Sequence, residues 1–391
     1  MTDFALTAAA EPVNVPASGS SAGDALSTLF RPAIRALAGY TPGEQPQTPG
    51  WTKLNTNELP YPPSPRAVEA MREAAGERLR IYPDPLGREF CRAVADRYGV
   101  TADMVLPGNG SDDCLTVLVR SFLDPQDTLA LPYPSYILYE TLAAIQGCRS
   151  RRIELNEDWS FDLDEARRIA SDAKLLFVPN PNSPSGTVWD DETILSLVPP
   201  QGLLVLDEAY VDFRTELGDD GGDAAGFRGF KILERPEARR VVVTRTLSKS
   251  AGLAGLRLGY AVAHPELIAG MRKVKDSYNC DAVSLAGGAA AVRDVAYAEE
   301  VRGRVVATRT RMTEALRAMG FNCPDSQANF VWAVHHSGDH TRIYEALKQR
   351  RILVRNMLYA GERRTVGGLR MSVGTDAEAD RLLAALQEVL A

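Results

Sequence analysis

Short apolar runs separated by segments with helical spacing occupy most of the chain. The runs with strand character are Thr128–Leu131, Leu175–Val178, Leu203–Leu206 and Val241–Thr244. Turn-forming residues such as Pro, Asp and Gly stand beside them. Buried strands that alternate with helices predict an α/β fold, in which a mostly parallel sheet is covered by helices on both faces.

The helical segments are equally regular. Apolar spacing predicts helices over Ala67–Ala75, Gly87–Tyr98 and Ser111–Phe122, and Ser111 is a suitable first residue because serine caps helix N-termini. The C-terminal third begins with a long helical stretch, Ser284–Met319. The elements predicted after it are the strands Asn329–Ala333, Leu353–Arg355 and Leu369–Ser372 and the helices Thr341–Arg350 and Ala377–Leu390. This order predicts a smaller α+β domain.

The patterns divide the chain into four predicted parts. Residues 1–29 are rich in Ala, Ser, Gly and Pro and predict a disordered extension, without the basic start and apolar stretch of a signal peptide. Residues 30–60 are predicted to form an N-terminal segment that joins the small domain. Residues 61–285 form the predicted large domain and residues 286–391 the small one. Within the large domain, the glycine-rich stretch Gly218–Gly229 predicts a mobile surface loop.

Composition excludes several classes of function. The net charge is −7 and no Lys/Arg cluster is present, so we expect no nucleic-acid partner. No apolar run approaches the roughly 18 residues of a membrane span, so we expect no membrane partner. The five scattered cysteines include no CxxC pair and predict reduced thiols in a cytoplasmic protein. The histidines form no HExxH pattern, and no metal site is expected.

Lys249 is the first candidate for chemistry, because it follows the apolar run Val241–Thr244. A buried ammonium at the end of a strand is costly. An amine there is useful when it forms a Schiff base with an aldehyde substrate or with pyridoxal phosphate. Taken alone, Lys249 is better explained as a residue that leaves the strand for solvent, so the other motifs must decide.

A phosphate-binding motif precedes the helix at Ser111. In Gly108–Asp112 two glycines lead into the helix N-terminus, where free N–H groups and the helix dipole favour a phosphate. The third glycine of a dinucleotide loop is replaced by Asp113, which makes that alternative weaker. Arg257, eight residues after Lys249, offers bidentate contacts to a phosphate.

Three more motifs follow strands, where open α/β sheets place their ligands. Tyr136 follows a stiff proline turn and is placed to stack on a planar ring. The turn Asn180–Gly186 predicts amide side chains that point inward. Asp207 ends a buried strand and needs a cationic partner, which a protonated pyridine nitrogen supplies. A salt bridge explains Asp207 as well, whereas a magnesium site would need a GxxxxGKS/T loop that is missing. Together the motifs meet the requirements of pyridoxal phosphate.

The chain resembles the fold-type-I pyridoxal-phosphate aminotransferases, and among them the histidinol-phosphate aminotransferase branch, over residues 31–390. The matching motifs are Arg31–Pro46, Leu54–Pro60, Tyr82–Gly87, Gly108–Asp112, Asn180–Gly186, Asp207–Tyr210, Thr246–Lys249, Gly255–Gly259 and Leu369–Thr375. The first two motifs indicate the histidinol-phosphate branch. The lysine and aspartate motifs and the predicted phosphate cradle, Gly108–Asp112, indicate the wider aminotransferase class. The resemblance implies a homodimer with shared active sites.

The resemblance also implies a role for each matching residue. Lys249 would hold the cofactor and carry a proton, Asp207 would pair with the pyridine nitrogen, and Tyr210 would hydrogen-bond the phenolate oxygen. Tyr136 would stack on the ring. The residues that would hold the cofactor phosphate are Gly110, Ser111, Ser248 and Arg257, with Tyr82 reaching the phosphate of the neighbouring subunit's cofactor. Asp112 would also contact the cofactor.

The amide turn departs from the family pattern, because the second of two usual asparagines is Ser183 here. We assign the cofactor hydrogen bond to Asn182. Arg370 would bind the carboxylate of glutamate or 2-oxoglutarate, and Arg355 the substrate phosphate. The further residues expected near the substrate are Tyr40 and Asn57.

The activity implied by the resemblance is amino transfer between histidinol phosphate and 2-oxoglutarate in histidine biosynthesis, by a ping-pong mechanism through Lys249. Four alternatives stay open at this point. The same branch includes aromatic amino-acid aminotransferases and a phosphothreonine decarboxylase. A nucleotide-binding α/β protein without this cofactor and a catalytically silent regulator are the other two, although every required residue type is present.

Overall fold

The computed structural model describes residues 26–37, 43–215 and 228–391. Tyr40, most of the predicted extension and most of the predicted glycine-rich loop therefore lie outside the described residues. The chain divides into two compact units, Met1–Ala38 and Gly39–Ala391. In the first unit Leu26–Leu29 form a 3₁₀ turn and Pro32–Ala36 form a short helix, α1. Everything below concerns the second unit.

The elements of the second unit alternate along the chain as predicted. The strands are β1 (Thr52–Lys53), β2 (Val105–Gly108), β3 (Thr128–Tyr133), β4 (Arg149–Glu154), β5 (Leu175–Pro179), β6 (Leu203–Asp207), β7 (Val241–Thr246), β8 (Gly259–Ala263), β9 (Phe321–Asn322), β10 (Phe330–His335), β11 (Ile352–Leu353), β12 (Arg355–Ala360) and β13 (Thr365–Ser372). The helices are α2 (Pro65–Ala74), α3 (Arg88–Tyr98), α4 (Ser111–Phe122), α5 (Leu138–Gln146), α6 (Leu163–Ser171), α7 (Asp191–Leu195), α8 (Pro265–Met271), α9 (Ala282–Arg293), α10 (Val295–Ala318), α11 (His340–Gln349) and α12 (Asp376–Leu390).

The large sheet has the strand order β2-β8-β7-β6-β5-β3-β4. Strand β8 runs antiparallel to both of its neighbours, and the other pairings are parallel. The predicted mostly parallel sheet is thus confirmed. The sequence did not predict β4, because this edge strand carries several arginines in place of an apolar run.

Both faces of the large sheet are covered. Along β5, Leu175 and Phe177 join one hydrophobic cluster, while Leu176 and Val178 join the other. Successive side chains of a strand point to opposite faces, so a strand that is apolar at every position is buried on both sides. This arrangement leaves only the ends of the strands for a binding site.

The C-terminal part forms a second, antiparallel sheet with the order β12-β13-β10-β9. Its hydrophobic cluster includes residues of α10, α11 and α12 and also Leu54 and Tyr61. Strand β1 pairs in parallel with β11. The long helix predicted over Ser284–Met319 is interrupted at Asp294, which separates α9 from α10 and accepts a 2.5 Å hydrogen bond from Ser64 Oγ. The strand predicted over Leu353–Arg355 falls on the junction of β11 and β12.

Within the described ranges, no helix is both long and apolar enough to cross a bilayer. The same ranges contain no group of three or more His, Cys, Asp or Glu side chains placed to hold a metal ion. All five cysteines are free thiols.

Candidate active site

The carboxyl ends of the parallel strands β3, β5, β6 and β7 meet at one edge of the large sheet. A cavity of about 260 Å³ opens there. The predicted site residues on its wall are Ser111, Asp112, Tyr136, Asp207, Tyr210, Ser248, Lys249, Arg257, Arg355 and Arg370. The fold therefore brings these residues, which are far apart in the sequence, into one site.

Lys249 lies in the turn that follows β7, and its side chain is half-buried. Its Nζ donates a 3.1 Å hydrogen bond to the backbone carbonyl of Thr56 and lies 5.7 Å from the centre of the Tyr210 ring. In the described part of the chain, no carboxylate forms an ion pair with this amine. A lysine held by a neutral acceptor in a cavity is suited to attack a carbonyl group.

Asp207 ends β6 and is 5% exposed. Its Oδ2 accepts a 2.7 Å hydrogen bond from the Tyr139 hydroxyl, and its Oδ1 accepts longer bonds from Ala209 N and Thr244 Oγ1. Burial raises the pKa of Asp207 to about 6, because these neutral donors offset only part of the desolvation of the carboxylate. The site therefore favours a ligand that brings its own positive charge to Asp207.

Tyr210 is held in place by Asn57, whose Nδ2 donates a 3.1 Å hydrogen bond to the phenolic oxygen. Asn57 is fixed in turn by Ser372, which accepts from its backbone N–H at 2.9 Å and donates to its Oδ1 at 2.8 Å. Its backbone is in the left-handed region, at φ +57°, which asparagine tolerates better than most residues. The structure places Asn57 behind Tyr210 and not on the cavity wall.

The phosphate cradle combines a helix N-terminus with a guanidinium group. Gly110 precedes α4 at φ +91°, and a Cβ there would lie 2.8 Å from Arg257 Nη2. Arg257 Nη1 donates to Ser248 Oγ at 3.2 Å, and Nη2 lies 3.7 Å from Asp112 Oδ2. Glycine at 110 thus lets the guanidinium approach the N–H groups of the helix, a set of donors that suits a phosphate.

The amide turn presents a hydroxyl to the cavity. Both polar atoms of the Asn180 side chain bond to the backbone of Trp189: Nδ2 donates to its carbonyl, and Oδ1 accepts from its N–H. Asn182 is fully buried, and its Nδ2 donates to Ser185 Oγ at 3.0 Å. Its Oδ1 is buried and accepts no hydrogen bond from the described residues. Of the two central residues, Ser183 lines the cavity and Asn182 does not.

Two arginines form the far end of the cavity. Arg355 and Arg370 are direct partners in the register of β12 and β13. Arg370 Nη1 donates to Ser183 Oγ at 3.0 Å, and Nη2 donates to the Asn55 carbonyl at 3.3 Å. Its Nε is buried and has no hydrogen-bond partner in the part of the chain that the structure describes. Like charges on directly opposite residues destabilise a sheet. Both guanidinium groups also lie on the cavity wall, where they suit an anionic ligand.

The structure adds wall residues that the sequence did not suggest. Tyr139 lies one helical turn after Tyr136, at the start of α5, and this spacing was a usable signal. Met357 and Tyr359 share one face of β12 with Arg355, but the predicted strand ended at Arg355.

Three predicted cofactor residues are not on the cavity wall: Asn182, described above, Gly110 and Tyr82. Gly110 contributes through its missing side chain, as described above. Tyr82 is 77% exposed and stacks on the ring of Tyr278, with 4.3 Å between the ring centres.

One edge of the parallel sheet carries the strand-end lysine, the buried aspartate and the predicted phosphate cradle. This arrangement is the one expected of a pyridoxal-phosphate enzyme. The chain belongs to the aminotransferase class I and II family, whose model matches residues 49–386. The histidinol-phosphate aminotransferase of Rhodopirellula baltica is 43% identical over 365 residues, which cover 92% of this chain and 96% of that protein. The Synechocystis protein of the same name is 42% identical over 358 residues, with 91% and 97% covered.

A similar solved structure is that of histidinol-phosphate aminotransferase from Sinorhizobium meliloti in complex with pyridoxal-5'-phosphate. It has a TM-score of 0.79 at 25% identity and covers 92% of this chain and 97% of that chain. The predicted fold type is confirmed. Membership in the aminotransferase family also removes the nucleotide-binding alternative.

The residues present fit pyridoxal phosphate. The amine of Lys249 has no carboxylate partner among the described residues, and the cradle at Gly110 leaves room that a Cβ would fill. Asp207 is a buried acid surrounded by neutral donors, which matches a protonated ring nitrogen.

Proposed function

We propose that this enzyme transfers an amino group between histidinol phosphate and 2-oxoglutarate, with pyridoxal phosphate as its cofactor. The observation that carries the proposal is the direct pairing of Arg355 and Arg370 on the wall of the cavity that also contains Lys249 and Asp207. The reaction needs one site for a dicarboxylate and for a phosphate ester, and guanidinium groups bind both anions. The curated relatives of that name support the same substrate.

The bound cofactor supplies an aldehyde that accepts an amine and a ring that withdraws electrons. The chain's own residues do the remaining work. Lys249 moves a proton at the substrate Cα, and Asp207 keeps the ring nitrogen protonated. Tyr210, fixed by Asn57, donates to the ring oxygen. Arg370 orients the substrate so that its Cα faces Lys249.

The first test is a screen of half-reactions with the loaded enzyme. Histidinol phosphate, glutamate, phenylalanine and tyrosine are added separately, and the loss of visible absorbance is followed. We expect histidinol phosphate and glutamate to react at least about tenfold faster than the aromatic amino acids. A phosphate dianion, or the two carboxylates of glutamate, brings about two negative charges to the arginine pair, whereas an aromatic amino acid brings one. Faster reaction with phenylalanine or tyrosine would assign the enzyme to the aromatic branch, and release of carbon dioxide from phosphothreonine would indicate the decarboxylase.

The proposal includes a homodimer with shared active sites, in which Tyr82 reaches the partner's cofactor phosphate. Its exposed, stacked ring supports this role. Replacing Tyr82 by phenylalanine is expected to weaken cofactor binding roughly ten- to a hundredfold, since it removes one hydrogen bond to a charged group. Titration of the cofactor-free protein measures this affinity, and sedimentation measures the dimer.

Tyr278→Phe is the matched control, because it keeps the ring stack and removes a different hydroxyl. A monomer with full cofactor affinity, or equal losses in the two variants, would contradict the shared site.

Two coarser expectations complete the proposal. We assign residues 61–285 to a large and 286–391 to a small domain, supported by the separate hydrophobic clusters of the two sheets. A biosynthetic reaction on small phosphorylated metabolites supports a cytoplasmic location.

A further inference from the structure

Strand β12 presents one face to the active-site cavity. Arg355, Met357 and Tyr359 alternate along the strand and all line the cavity, whereas Leu358 between them is 74% exposed. This follows from the two-residue period of a strand. The strand that carries one of the paired arginines therefore also brings a tyrosine to the same site.

The ring of Tyr359 is fixed and its hydroxyl is poorly satisfied. The residue is 3% exposed and packs edge-to-face on Tyr133, with 5.8 Å between ring centres, and on Trp332. Among the described residues, its hydroxyl donates only to Met357 Sδ, at 3.8 Å. A thioether is a weak acceptor, and a buried donor without a good acceptor costs free energy.

The Tyr359 hydroxyl stays protonated, and its charged neighbours show that it lies near the two arginines. Burial raises the pKa of Tyr359, and the largest opposing influence is the positive charge of Arg370, followed among the cations by Arg355. The phenol therefore stays protonated at neutral pH, with both guanidinium groups as its charged neighbours.

The two anions that must share this site differ in their number of acceptors. A carboxylate has two oxygens in a plane, which guanidinium groups satisfy. A phosphate monoester has three terminal oxygens and a larger negative charge. A neutral donor beside the arginines is therefore of more use to the phosphate than to the carboxylate.

We propose that Tyr359 donates a hydrogen bond to the phosphate group of the substrate and so favours phosphate esters over carboxylates in the anion site of Arg355 and Arg370. The inference rests on the proposed function and names a residue that determines substrate preference within it.

The test is Tyr359→Phe, assayed with histidinol phosphate, histidinol and glutamate. Histidinol shares the ring and the amine of the substrate and lacks only the phosphate. We expect kcat/KM for histidinol phosphate to fall roughly ten- to a hundredfold, mainly through a higher KM, because a hydrogen bond to a charged group is lost. The values for histidinol and glutamate should stay within about threefold.

Tyr133→Phe is the control, because it keeps the packing on Tyr359 and removes a hydroxyl that donates to the Ala360 carbonyl outside the cavity wall. It should leave the preference for histidinol phosphate over histidinol unchanged. Equal losses on histidinol and histidinol phosphate in Tyr359→Phe would place the hydroxyl at the ring and overturn the inference. So would an unchanged rate on histidinol phosphate, or a uniform loss that includes glutamate. If the wild-type enzyme does not react with histidinol phosphate, the proposed function is refuted instead.

Discussion

Replacing Lys249 by alanine is expected to lower kcat/KM for transamination by at least about a thousandfold, the upper range for loss of a positioned proton-transfer group. Among the described residues, the Lys249 amine, which follows β7, donates its hydrogen bond to the neutral backbone carbonyl of Thr56, at 3.1 Å. Alanine cannot hold the aldehyde of the cofactor and cannot move a proton at the substrate Cα. Both half-reactions should therefore fail, whichever substrate is supplied.

Two measurements check this result. Single-turnover rates with glutamate report the proton transfer, and mass spectrometry after borohydride reduction reports covalent attachment, which we expect at Lys249 in the wild type alone. Lys174→Ala is the control, because this exposed lysine donates to the Gln201 carbonyl on the surface. Near wild-type turnover by the Lys249 variant, or reduced cofactor found on another lysine, would rule out the assignment.

Replacing Asp207 by asparagine is expected to reduce kcat about a hundred- to a thousandfold, the loss typical when one electrostatic contact is removed from an active site. Asparagine keeps an oxygen for Ala209 N and Thr244 Oγ1 and an amide for the Tyr139 oxygen, so the fold should be retained. What disappears is the negative charge that we propose pairs with the ring nitrogen of the cofactor.

The same substitution should stabilise the cofactor-free protein. The pKa of Asp207 is raised from 3.8 to about 6, so the folded state disfavours the charged form. Stability from this group is complete below pH 3.8 and is lost as the pH rises to about 6. The loss is on the order of 3 kcal/mol, and Asp207→Asn avoids it at neutral pH.

The change in the free energy of unfolding is measured by urea unfolding of the cofactor-free variant and wild type, at pH values below and above this window. Asp96→Asn, at an exposed helical position, is the control. A variant that is less stable than the wild type at neutral pH would show that the ionised Asp207 does not destabilise the cofactor-free protein.

The sequence predicted the part of the site that follows buried strands. The runs ending near Val178, Leu206 and Thr244 are apolar at nearly every position, because helices cover both faces of the sheet. Chemistry-bearing residues directly after such runs must come together at one edge. This is why Asp207 and Lys249 were identifiable before any coordinates.

The remaining wall residues depend on tertiary structure. Strand β12 lies at the edge of the small sheet and carries exposed residues such as Leu358, so its pattern did not separate it from a loop, and Tyr359 was missed. The choice between Asn182 and Ser183 depends on the direction of the backbone inside a turn, which no periodicity encodes. Asn57 matched a motif, but only the fold shows that it supports Tyr210.

The opposed arginines of β12 and β13 also bear on the solution conditions for this enzyme. The two guanidinium groups are in direct register, and we propose that the anionic group of the substrate binds beside them. Any small dianion is then a ligand of the folded state and raises its stability by mass action. Phosphate and sulfate buffers are therefore expected to compete with the substrate, and a preparation that is most heat-resistant in such buffers should also be the one whose substrate affinity is most underestimated.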